Sequence, residues 1–132
     1  MNKKGEKDFK TWISLKEQLH YSSKHPSISN GEVWWASVGE NVGSEICGKG
    51  KKYMRPVIIF RKLNKYSFLA IPLTSKNHKG SWYAHFELNN KKQTAVVSQI
   101  ECMSILRLWR KIGELSNGDL QIVETTFKNL IK

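Results

Sequence analysis

The chain has 132 residues, 39% apolar and 25% charged, which excludes disordered and fibrous classes and leaves one domain able to bury roughly two-thirds of its unfolded surface. Its 22 lysines and arginines against 11 acids give a formal net charge of +11, which points to a polyanionic or acidic partner and says nothing of the fold. Two cysteines without a CxxC pair exclude a disulfide scaffold and a zinc framework, and no stretch approaches the ~18 apolar residues of a membrane span.

The leader "MNKKGEKDFK" is charged and is followed by no apolar segment, so a reducing, cytoplasmic setting is expected. Trp12, Leu15 and Leu19 fall at helical spacing behind Asp8, a suitable N-cap, which predicts an amphipathic helix over 9–20. "YSSKHPSISNG", broken by Pro26 and Gly31, reads as a linker, so residues 1–30 are expected to be helix plus linker and 31–132 the main body. "EVWWASV" predicts a strand, and the glycine-rich "GENVGSEICGKGKKYM" after it is long for a turn, as functional loops are.

Strands are then predicted at Pro56–Leu63 and Tyr66–Leu73 across an Asn64-Lys65 turn, at Trp82–Leu88, and at Gln93–Ser98 after Asn89-Asn90. "QIECMSILRLWRKIGEL" is ambiguous and reads as a bent strand plus another near Trp109–Leu115. Leu120, Val123, Phe127 and Leu130 keep a helical period behind Ser116 and Asp119, which resemble a capping box. Short antiparallel strands with a helix at each end predict a mainly β, α+β fold. The expected body is a small, partly closed barrel, because closure removes exposed edges. Trp34, Trp35 and Phe60 are expected in its core.

Eleven basic residues and one acid, Glu87, lie between Lys49 and Lys92. Such concentration favours phosphate binding over a merely solvated surface. The P-loop, HExxH, dinucleotide and GxSxG signatures are missing, and the four histidines sit in different segments, so neither cofactor nor metal is expected. Arg55 precedes Pro56 at the mouth of one strand, and Thr74-Ser75 closes the next, which a hairpin returns to the same end. A guanidinium beside two hydroxyls suits a phosphate and the extra charge it gains as it becomes pentacoordinate. The alternative reading pairs Arg55 with a surface carboxylate and lets Thr74 cap a turn.

"GEVWWASVGENVGSEICGKGKKYMRPVIIF", "FLAIPLTS" and "VVSQIECMSILRLWRKIGEL" together resemble the PemK/MazF family of toxin endoribonucleases, from about Gly31 to the C-terminus. The resemblance implies an SH3-like barrel that dimerises and cuts single-stranded RNA without metal, by attack of a ribose 2′-hydroxyl on the adjacent phosphate. It also implies an inhibiting cognate antitoxin. It places Arg55 and Thr74 at the catalytic arginine and threonine, Ser75 as a further phosphate contact and Glu45 at the acidic position of the loop. The "CGKGKKYM" insert separates Glu45 from Arg55, and a plainer role for Glu45 is to neutralise the neighbouring lysines.

Arg55 is a poor proton donor at its ordinary pKa, so His85 and Glu45 are the candidates for proton transfer, although a histidine in "WYAHFEL" is more often a packed strand residue. Lys49, Lys51, Lys52, Lys76 and Lys79 are expected to hold RNA, with Trp82, Tyr83 or Tyr53 stacking unpaired bases and His85 at the same surface. Two alternatives stand beside this reading: a non-catalytic barrel resembling the gyrase-poisoning CcdB proteins, and a general nucleic-acid-binding barrel. Neither needs Arg55 with Thr74.

Overall fold

Asp8 starts the first helix as its position predicts, its Oδ1 accepting the Thr11 N–H at 3.1 Å. The computed structural model describes residues 7–50 and 52–132. Helix α1 spans Phe9–His20, followed by β1 (Glu32–Ser37), β2 (Met54–Lys62), β3 (Ser67–Thr74), β4 (Tyr83–Leu88), β5 (Lys91–Val96), β6 (Glu101–Ser104), β7 (Leu108–Glu114) and helix α2 (Asn117–Leu130). The strands form one curled antiparallel sheet in the order β4-β5-β3-β2-β1-β7, with β6 added to β3, so the expected partly closed barrel with a helix at each end is what the chain adopts.

Alternation along β2 and β3 explains the curl. Ile58, Phe60, Ile71 and Leu73 enter an apolar cluster closed by Val123 of α2, with Leu120 and Phe127 packed against it. Val57, Ile59, Phe68 and Ala70 point the other way, into a cluster with Met103, Ile105 and Leu108. Side chains of a strand alternate between faces, so central strands buried on both sides read as continuous apolar runs, as "PVIIF" does. β3 can serve both layers because its first half pairs with β6 and its last two residues pair with β5.

Turn chemistry follows the sequence. Asn64 Oδ1 accepts the N–H groups of Tyr66 and Ser67 at 2.8 and 3.1 Å, and Asn89 and Asn90 both take left-handed φ values, 52° and 64°, as a tight hairpin needs. The ambiguous segment resolves into β6, a 3₁₀ turn over Ile105–Arg107, and β7. Ser116 Oγ accepts the Asp119 N–H at 3.1 Å and opens α2.

Two expectations change, and one point the sequence leaves open is fixed. β2 begins at Met54, which pairs with Ser37, so Arg55 lies within the strand rather than at the end of a loop. The 21–31 segment is fastened: Ile28 is buried in the second cluster, and Gly31 is bonded to Ile59 and Leu115. Tyr53, expected as a stacking face for RNA, is buried with Trp12 and Leu19 of α1, whose apolar stripe packs on it.

Candidate active site

Val57 pairs with Pro72, and the antiparallel register carried two residues further sets Arg55 level with Thr74. Pro56 keeps the preceding arginine extended. The guanidinium is half-buried and held by main chain: Nε donates to the Cys47 carbonyl at 3.0 Å and Nη1 to the Leu73 carbonyl at 3.1 Å. Burial pulls its pKa below the ordinary guanidinium value, with the Cys47 thiol acting in the opposite sense. Among the described residues it has no carboxylate partner. Thr74 is nearly buried, and its Oγ1 accepts the Lys76 N–H at 3.2 Å, so it does cap a turn while its O–H remains a donor.

Two hollows meet at this pair. The larger, about 670 Å³, runs from Lys49, Arg55 and Thr74 to Ser75, Trp35, Leu88, Asn89, Lys91, Gln93 and Ile112. The second, about 410 Å³, shares Lys49, Arg55 and Thr74 and extends to Ser44, Ile46, Lys76, His78, Trp82, Tyr83 and Gln99. Among the described residues, no aspartate or glutamate lines either one. In the second, His78 stacks on Tyr83 with ring centroids 5.1 Å apart and planes at 17°, and Trp82 is 57% exposed. Cations, hydroxyl donors and open aromatic faces together suit a phosphodiester with unpaired bases on either side.

The remaining predicted residues divide. Ser75 also borders a third hollow, and His85 sits there with Nδ1 3.1 Å from Thr94 Oγ1, outside the two hollows of Arg55. Glu45 lines none of these hollows: its Oε1 accepts the Val42 N–H at 2.9 Å, a turn within the loop, so neither proton-transfer candidate lines the two hollows of Arg55. Lys52 turns away, its Nζ 3.8 Å from the centre of the Trp109 ring, because the loop doubles back at Tyr53. Lys79 borders none of the three hollows, and Lys51 lies outside the described residues.

Sequence reasoning assigned Trp35 to the core and passed over His78, Gln99 and Gln93. Trp35 pairs with Pro56 beside Arg55, a register that no local pattern reveals. Gln99 Oε1 accepts the Ile46 N–H at 3.3 Å and so ties the long loop to the barrel. Its place in "VVSQIE", next to a strand, was the available signal.

The fold is a small, curled antiparallel barrel that gathers an arginine, hydroxyls and lysines at one rim, with no acid lining that rim among the described residues. The particular family is given by sequence: the chain belongs to the PemK-like, MazF-like toxins of type II toxin-antitoxin systems, whose family model matches residues 29–131. No curated protein matches it. Solved structures share the fold at low identity. MazF from Deinococcus radiodurans (form I) is 14% identical with a TM-score of 0.65, over 79% of this chain and 96% of its own. An endoribonuclease from a mycobacterial species, in complex with its cognate antitoxin, is 13% identical with a TM-score of 0.63, over 80% and 95%. The Mycobacterium tuberculosis toxin MazF-mt6 is 14% identical with a TM-score of 0.59, over 76% and 95%.

Proposed function

We propose that this chain is a metal-independent endoribonuclease toxin that cuts single-stranded RNA. The observation that carries the reading is Arg55, fixed by two carbonyls and free of carboxylates, level with the Thr74 hydroxyl where two hollows meet. The substrate's 2′-oxygen attacks the adjacent phosphorus and the 5′-oxygen leaves, giving a 2′,3′-cyclic phosphate and a 5′-hydroxyl. Arg55 and the Thr74 O–H neutralise the charge that builds on the phosphoryl oxygens, and Ser75 and Lys49 hold the phosphate. The 2′-hydroxyl proton must leave and the 5′-oxygen must gain one. His78 takes that exchange, since an imidazole can accept the one proton and deliver the other and this one borders the same hollow as Arg55 and Thr74. Lys76, Lys91, Trp82 and Tyr83 hold and stack the flanking nucleotides.

The working form is a cytoplasmic homodimer, and an acidic cognate antitoxin covers the cationic rim; the antitoxin bound to the mycobacterial endoribonuclease of the same fold supports that pairing. The test is a long RNA incubated with purified protein in excess EDTA, beside Arg55→Ala and a substrate 2′-deoxy at the cut. Fragments ending in cyclic phosphate should form only with wild type on ribose. Cleavage that needs Mg²⁺, survives Arg55→Ala or tolerates the deoxy substrate refutes the reading.

A further inference from the structure

The N-terminal helix precedes the residues matched by the family, 29–131, and the reaction above does not use it. Its large buried side chain nonetheless rests on the root of the loop that holds Arg55. Trp12 is 4% exposed and meets Tyr53 edge-on, with centroids 5.5 Å apart. A methyl group added to Gly39 would come within 2.2 Å of the indole. On another side the Arg107 guanidinium lies 5.6 Å from the ring, and its Nη1 donates to the Ser37 carbonyl at 3.0 Å.

Val38-Gly39 and Tyr53 form the two ends of the 38–53 loop. The Tyr53 carbonyl accepts the N–H groups of Val38 and Gly39 at 2.9 and 3.3 Å, so the loop closes on it. Tyr53 has φ 52°, a left-handed conformation that a bulky residue keeps only where its surroundings fix it. From this root the order passes outward: Gly48 N–H to the Gly39 carbonyl at 2.9 Å, Lys49 paired with Met54, and the Cys47 carbonyl on Arg55 Nε. Lys7 braces the far side, its Nζ donating to the carbonyls of Asn41 and Gly43.

We infer that Trp12, assisted by Lys7, is a positioning residue for RNA cleavage. Helix α1 clamps the loop root so that the Cys47 carbonyl stays where it aims Arg55 at the phosphate. The inference rests on the endoribonuclease reading. Loosening the clamp misplaces the guanidinium, while Lys76, Trp82, Tyr83 and Lys91, which lie on or beside β3, β4 and β5, keep their grip on RNA. The effect falls on turnover more than on binding.

The test measures kcat and KM on single-stranded RNA in EDTA, and Kd for the same sequence with 2′-deoxyribose at the cut. The proteins are the full wild-type chain, Arg55→Ala, Trp12→Ala, Trp12→Phe and Lys7→Ala. Trp12→Ala should lower kcat by about tenfold or more, a loss of the size misplaced catalytic groups cause, with KM and Kd changed by less than about threefold. Trp12→Phe, which keeps an aromatic ring against Tyr53, should restore most of the rate. Lys7→Ala, a change outside the apolar clusters, should lower kcat by about threefold. Wild-type kcat in Trp12→Ala, or a rise in KM alone, overturns the inference while an inactive Arg55→Ala leaves the reaction standing. If wild type does not cleave, or Arg55→Ala cleaves normally, the reaction itself is refuted. Should Trp12→Ala fail to melt cooperatively above the assay temperature, Lys7→Ala decides, and wild-type kcat there overturns the clamp.

Discussion

Gly39→Ala should destabilise the fold, and the structure gives the size. Gly39 has φ 86°, where an alanine costs about 1–2 kcal/mol more than glycine. The new methyl would lie 2.2 Å from two ring atoms of Trp12, so the indole must move. Full loss of a buried tryptophan costs about 3–5 kcal/mol, and a ring that slides aside keeps part of that, which gives an expected total of about 2–5 kcal/mol. Urea unfolding at fixed pH measures it from the shift in midpoint, provided the slope stays constant. The companion variant carries Trp12→Ala as well. With the indole gone the three atoms nearest the methyl are removed, so the pair should cost at least about 1 kcal/mol less than the sum of the single changes. A Gly39→Ala protein within about 0.5 kcal/mol of wild type, or strictly additive costs, would refute the packing argument.

Arg55→Lys should cut the cleavage rate by at least about tenfold in EDTA, since an ammonium cannot span the Cys47 and Leu73 carbonyls with a planar fork. His78→Gln should lower kcat for RNA cleavage by at least about tenfold, whereas His85→Gln, which lies outside the hollows of Arg55, should change it by less than about threefold. RNA affinity should fall steeply with salt, and Lys76→Ala should reduce the slope of log K against log salt by about 0.7, one phosphate contact on a single strand. Burial pushes the Glu32 carboxyl up, but the Ser29 N–H, the Trp34 indole N–H and Lys111 outweigh it and hold the pKa below the usual 4.5. That stability is present above pH 4.5 and lost as pH falls through the folded value. Glu32→Gln should therefore cost about 1–2 kcal/mol at pH 7 and progressively less as pH falls below 4.5, read from urea midpoints along a pH series.

Much of the fold was legible because its determinants are local. Asp8, Ser116 and the Asn89-Asn90 pair act within a few residues of themselves, and "PVIIF" carries its two-sided burial in its own composition. Arg55 and Thr74 could be placed together because a hairpin returns its second strand to the end where the first began, although a bulge between Ile59 and Arg61 shifts the register on the way. The long loop defeated the same reasoning. Where Lys52, Tyr53 and Glu45 end up depends on contacts with Trp109, Trp12 and the Val42 N–H, and the first two lie far away in the chain. Trp35 looked like core because adjacent strand aromatics usually are, yet its pairing with Pro56 puts it at the rim.

The two carbonyls that grip Arg55 belong to residues whose side chains take no part in the grip. An anchor made of backbone is indifferent to lettering: positions 47 and 73 can exchange one residue for another without slackening it, so long as the chain path survives. A search for the arginine's keepers by residue type would pass straight over them.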